Sequence, residues 1–104
     1  MTLDAEDSKL VTLARAARAR NGSAEGAAVR DETGRTYSAT NVALPALTLT
    51  AVQVAVAMAV SSGAQSLEVA ALVTAGDPSE DDGRLVASLG AKELIVAGPD
   101  GTVR

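Results

Sequence analysis

Few side chains in this sequence could do chemistry. Four carboxylates, Asp77, Glu80, Asp81 and Asp82, crowd the segment Asp77-Pro78-Ser79-Glu80-Asp81-Asp82, and a cluster of that kind can hold a hard cation such as Mg²⁺ or Ca²⁺. The same residues also describe a helix start, with Ser79 as cap and acids set against the positive end of the dipole. Their spacing fits no dedicated calcium loop, so the helix start is the preferred reading. A Ser–Lys nucleophilic pair would have to use Lys9 or Lys92, and both sit where solvated charges belong. Tyr37 reads as a packing residue on a strand, and Asn41 as a strand-end turn residue or a ligand contact. The glycines lie singly at turns, with no phosphate-cradling loop.

What is missing excludes more. Cys, His, Trp and Phe are absent, and Tyr37 is the one aromatic. Without Cys there is no disulfide, no thiolate nucleophile, and no Cys-bound zinc or iron–sulfur cluster. Without His there is no imidazole base and no ordinary Ser–His–Asp triad. No cofactor is expected, and no metal site. A net charge of −4 and the lack of stacking aromatics argue against a nucleic-acid partner.

The elements that must position these residues fit one domain spanning residues 1–104, with 47% hydrophobic and 21% charged residues. The opening segment, Met1 to Asp7, is acidic where a signal peptide is basic and then apolar, and a cytoplasmic location is expected. No charged residue occurs from Thr36 to Leu67. The core of that run, Val42 to Val60, has the length of a spanning helix, about 20 residues. It is built of Ala, Val and Thr, with Pro45 near its start and Gln53 inside it, and no basic cluster flanks it. A deeply buried helix is expected there rather than a membrane span.

The pattern predicts a first helix from about Ser8 to Arg20, capped by Asp7 or Ser8 and stopped at Asn21-Gly22. A hairpin follows, Gly26–Arg30 and Arg35–Asn41, turning at Asp31-Glu32-Thr33-Gly34. A second helix is expected from about Leu47 to Ser62, capped by Thr48 or Thr50. Then come an apolar strand Ser66–Thr74, a short helix Glu80–Leu89, a strand Glu93–Ala97 and the start of a fifth strand at Thr102-Val103-Arg104. Helices alternating with the later strands imply a mixed sheet with parallel pairs and helices on its faces. The second helix has no wet face, because Gln53 is its only large polar residue. One sheet cannot cover a helix all round, so a subunit interface is expected along it, at Leu49, Val52, Val56, Met58 and Val60.

Gly26-Ala27-Ala28-Val29, Gly34-Arg35-Thr36-Tyr37, Asn41-Val42 and Ala59-Val60-Ser61-Ser62-Gly63 follow one another in that order. In this the sequence resembles the cytidine deaminase family, from about Lys9 to Val103. The resemblance implies a three-layer α/β/α sandwich with a mixed four- to five-stranded sheet, and assembly into dimers or tetramers through the buried helix. It also implies a zinc-generated hydroxide with a Glu that shuttles its proton. Here the first zinc ligand and that Glu fall at about Thr50 and Val52, and the two Cys ligands at about Glu80 and Gly83. Asn41 matches the family's ribose-binding Asn, but the accompanying Glu is Ala43, and the aromatic before the first strand is about Ser23. The expectation is therefore an inactive relative, a non-catalytic oligomeric or interaction protein whose partner is itself, as a homodimer or homotetramer. A nucleoside- or nucleotide-binding sensor, and a non-catalytic partner of an active paralogous deaminase or another protein, are the alternatives. No membrane partner is expected.

Overall fold

The computed structural model describes residues 3–104; Met1 and Thr2, which open the acidic segment, lie outside the described residues. In chain order the elements are α1 (Ala5–Asn21), β1 (Glu25–Asp31), β2 (Thr36–Thr40), β3 (Val42–Leu44), β4 (Leu47–Leu49), α2 (Ala51–Ser61), β5 (Leu67–Thr74), α3 (Glu80–Ser88) and β6 (Leu94–Ala97). Four strands make one sheet in the order β2-β1-β5-β6. β1 runs antiparallel to both of its neighbours, and β5 runs parallel to β6. The sheet is mixed, as the order of elements predicts.

The alternation of side chains across the pleat divides the interior in two. Ala27 and Val29 of β1, with Ala70 and Leu72 of β5, point to the face covered by α2 and α3. Ala28, Val69, Ala71 and Val73 point to the other, where Leu10, Val11 and Ala14 of α1 meet them. β5, covered on both faces, is buried at seven of its eight residues, which explains the apolar run of residues 69–73 after the exposed Glu68. The result is a three-layer α/β/α sandwich.

α1 lies over β1 where the strand carries no side chain. A Cβ on Gly26 would overlap the Ala14 carbonyl oxygen and lie 2.9 Å from Arg18 Cβ. The helix starts earlier than the apolar stripe alone suggests. Asp4, not Asp7 or Ser8, is the cap, its carboxylate accepting from the Asp7 N–H at 2.8 Å. Asp7 is thereby drawn into the first turn and buried, where Arg30 and Lys92 donate to its two oxygens at 3.0 and 3.1 Å. Burial alone would raise this carboxyl; the hydrogen bonds and charges of Lys92 and Arg30 outweigh it and hold Asp7 below the usual 3.8.

The β1–β2 turn forms where expected, with Gly34 at φ 87°. Asp31 closes it, accepting from the Thr33 hydroxyl at 2.7 Å and from the N–H groups of Thr33 and Arg35 at 2.9 and 3.0 Å. Tyr37 packs against the core and donates to the other oxygen at 3.3 Å. These donors, the Thr33 hydroxyl first, keep the Asp31 carboxyl low.

The second helix needs correction. It does not begin at Leu47: Leu47–Leu49 pairs antiparallel with Val42–Leu44 in a separate two-stranded hairpin, and α2 starts only at Ala51. The alternating Leu47-Thr48-Leu49 suits a pleat, and Thr50 with Gln53 forms a complete capping box that sets the start. The start of a fifth strand is present as a single bridge between Val103 and Ala97. Among the described residues no helix is long and apolar enough to cross a membrane.

Two measurements check this packing. Gly26→Ala is expected to destabilise the fold by about 1–3 kcal/mol in urea unfolding, because the methyl has no room under α1. Asp7 has a depressed folded-state pKa, so its contribution is present above the unfolded value near 3.8 and disappears as pH falls through the depressed one. Asp7→Asn should therefore be less stable than the wild type at pH 7, with the difference in urea midpoint shrinking below pH 4.

Candidate functional site

The amino ends of α2 and α3 meet beside the first residue of β1. Thr50 caps α2: its hydroxyl accepts from the Gln53 N–H at 3.1 Å, and the Gln53 side chain accepts from the Thr50 N–H at 2.9 Å. Ser79 caps α3, accepting from the Asp81 N–H at 3.1 Å. Between the two caps lies Asp82, third residue of α3 and 0% exposed, whose Oδ1 accepts the Thr50 hydroxyl at 2.7 Å. Its Oδ2 has no hydrogen-bond partner among the described residues. Glu25 opens β1 and accepts from the Ala51 N–H at 3.3 Å, which satisfies another free donor of the first turn of α2. Asn41 in turn accepts the Glu25 N–H at 3.0 Å. One chain of contacts thus runs from the strand end at Asn41 through both helix starts.

Below this chain Val52 is fully buried in the core under the sheet, beside Ala55 and Val56. The site presents hydroxyls already committed to caps, one unsatisfied carboxylate oxygen and a floor of methyl groups. Its one hydroxyl–carboxylate pair, Thr50 and Asp82, is part of the α2 cap and holds Asp82 fully buried. The surface clefts lie elsewhere, the two larger of them of about 410 Å³ along Leu94, Val96 and Arg104 and about 510 Å³ beside Arg30 and Lys92. Asn41, Thr50, Val52 and Asp82 line none of these clefts.

The sequence model of the cytidine deaminase-like family matches residues 3–101. The chain belongs to that family. Its fold is similar to the cytidine deaminase of Mycobacterium tuberculosis, with 25% identity, a TM-score of 0.72, and 99% of this chain and 90% of that chain covered. It is also similar to cytidine deaminases of Burkholderia pseudomallei (23% identity, TM-score 0.77, 92% of this chain and 87% of that) and Mycobacterium leprae (23%, 0.71, 97% and 93%). At 23% identity the latter two speak for the fold alone. No protein of curated function matches the sequence.

Zinc deaminases carry a ligand, one intervening residue and a Glu, followed later by Pro-Cys-x-x-Cys. Thr50-Ala51-Val52 has the spacing of the first motif, and Pro78-Ser79-Glu80-Asp81-Asp82 has that of the second with Ser79 and Asp82 where the cysteines stand, one residue before the expected Glu80 and Gly83. Asp82 is the residue that α3 turns toward Thr50. These residues do not fit zinc. A zinc ion takes four S, N or O donors at about 2.0–2.3 Å; here the Thr50 and Ser79 hydroxyls are engaged, and Asp82 Oδ2 alone is free. Among the described residues no three His, Cys, Asp or Glu side chains are grouped to hold a metal; Glu80 and Asp81 are exposed acids in the first turn of α3, Asp82 is buried beneath them, and Asp77 precedes the cap Ser79.

Of the five residues expected at a subunit interface, Val52 and Val56 are turned inward, 0% and 5% exposed, because they lie on the stripe of α2 that packs on the sheet. They are corrected to core positions. Leu49 is half-buried, while Met58 and Val60 are 41% and 48% exposed. The hairpin tip adds Leu44 and Leu47 to the bare apolar surface. Glu25 is the site residue the sequence does not announce; Asp82 stands out only as one of four clustered acids, because Ser79-x-x-Asp82 resembles an ordinary helix start and hides its burial. Asn41→Ala leaves the Glu25 N–H without its acceptor and is expected to lower stability by about 1 kcal/mol. Asn41→Asp, which keeps the oxygen, should lose less in the same urea titration.

Proposed function

We propose that this chain is a non-catalytic, self-associating member of its family, with an association surface made of the exposed face of α2 and the β3–β4 tip. The observation that carries the loss of chemistry is Val52. It is buried in the core at the place where the family mechanism needs a carboxylate to move a proton between hydroxide and substrate. A branched alkane has no proton to give and no lone pair to take one. Thr50 and Asp82, which would have to hold the metal, are hydrogen-bonded to each other instead.

Self-association is supported by what remains bare. Met58 and Val60 on α2, with Leu44 and Leu47 on the hairpin, are large apolar side chains left in water by a chain of 104 residues. A hairpin of two three-residue strands has little stability of its own and gains from being covered. A nucleoside-binding role is weaker, because the Asn41 oxygen that would meet a ligand already accepts the Glu25 N–H.

The test has two readouts. Purified protein incubated with cytidine should release no uridine, and a panel of pyrimidine nucleosides and nucleotides should leave its melting temperature unchanged; turnover would overturn the catalytic part. Light scattering at micromolar concentration should report a dimer or larger species, which Met58→Glu or Leu47→Glu weakens. A wild-type monomer under those conditions would overturn the association.

A further inference from the structure

We infer that the Thr50–Asp82 pair is a metal-independent tie that locks the amino end of α2 to that of α3. The inference stands on the geometry of the pair and is separate from self-association.

Asp82 is not explained as a helix-start acid. Glu80 and Asp81 already fill that role on the surface, with side chains 93% and 81% exposed, whereas Asp82 is completely buried. Burying a carboxylate is unfavourable unless hydrogen bonds and local charge compensate it. Two features do so here. The Thr50 hydroxyl donates to Oδ1 at 2.7 Å, an ordinary length for a hydroxyl donor on an oxygen acceptor. The carboxylate also sits in the first turn of α3 and against the cap of α2, so the positive ends of two helix dipoles act on it together.

The unmatched Oδ2 sharpens the case. With one oxygen lacking a partner, the Thr50 hydroxyl is the side-chain donor that keeps the buried acid in place. Loss of that hydroxyl should be felt more than an average hydrogen bond. Elsewhere α3 reaches the core through Val86, with Leu85 and Leu89 packed beside it, and apolar contact is non-directional. The tie joins residues 32 positions apart and fixes how the two helix ends face each other. A fold held this way needs no metal and no thiolate.

A double-mutant cycle on the full chain tests this. Thr50→Val and Asp82→Leu are each expected to lower the melting temperature by roughly 10 °C. The double variant should be no worse than the poorer single, because each single already breaks the same bond. The capping contribution of Thr50 is lost in both backgrounds and cancels in the cycle. Thr50→Ser, which keeps the hydroxyl, should melt within about 3 °C of the wild type, and Asp81→Ala should do the same. Neither chelator nor added zinc should move the melting temperature. If Asp82→Leu does not fold, Asp82→Ala takes its place in the cycle, with the same sub-additive loss expected. Additive losses in the cycle, or a stoichiometric stabilisation by zinc, would each overturn the tie.

Discussion

The close approach of three layers is the constraint from which the rest of the molecule follows. The interior is made of Ala and Val with little else: Ala27, Ala28, Ala55, Ala59, Ala70 and Ala71 are all fully buried. Such small side chains fill space only if the backbones come near one another. At Gly26 they come so near that α1 rests on the strand itself. On the opposite face, α2 packs on the sheet through Val52, Ala55, Val56 and Ala59, and its first residue lies beside the Thr50–Asp82 contact.

The junction of two helix starts poses the same electrostatic demand whether or not an ion is present. Free N–H groups and positive dipole ends have to be met by negative charge. In this chain Glu25 meets the Ala51 N–H and Asp82 sits between the caps. Carboxylates placed by the protein do the balancing at this junction.

Much of this architecture is legible in the residues, and the exceptions have physical reasons. Gly34 and Gly22 mark their turns because positive φ suits no other residue as well, and both adopt it. The apolar run of β5 announces a strand covered on both faces. The start of α2 is misread because Leu47-Thr48-Leu49 satisfies helix and strand patterns alike over three residues; only the pairing with Val42–Leu44 decides between them. Treating α2 as uniformly buried also fails, because a continuous run of Ala and Val has no polar stripe to show which side meets the sheet. The burial of Asp82 cannot be read locally at all. It arises from a partner far away in the chain, while the acids beside it, identical in kind, stay in water.

The stretch from Thr36 to Leu67 contains no formal charge, and it supplies both the hairpin tip and the bare side of α2. A contact formed there would have no ion pairs to screen, so its strength should be nearly indifferent to ionic strength. Its thermodynamic mark would be a negative heat-capacity change from dehydrated methyl and methylene groups. With no charges to steer encounter or to reject a poor fit, discrimination between a second copy and any other apolar surface would rest on shape alone.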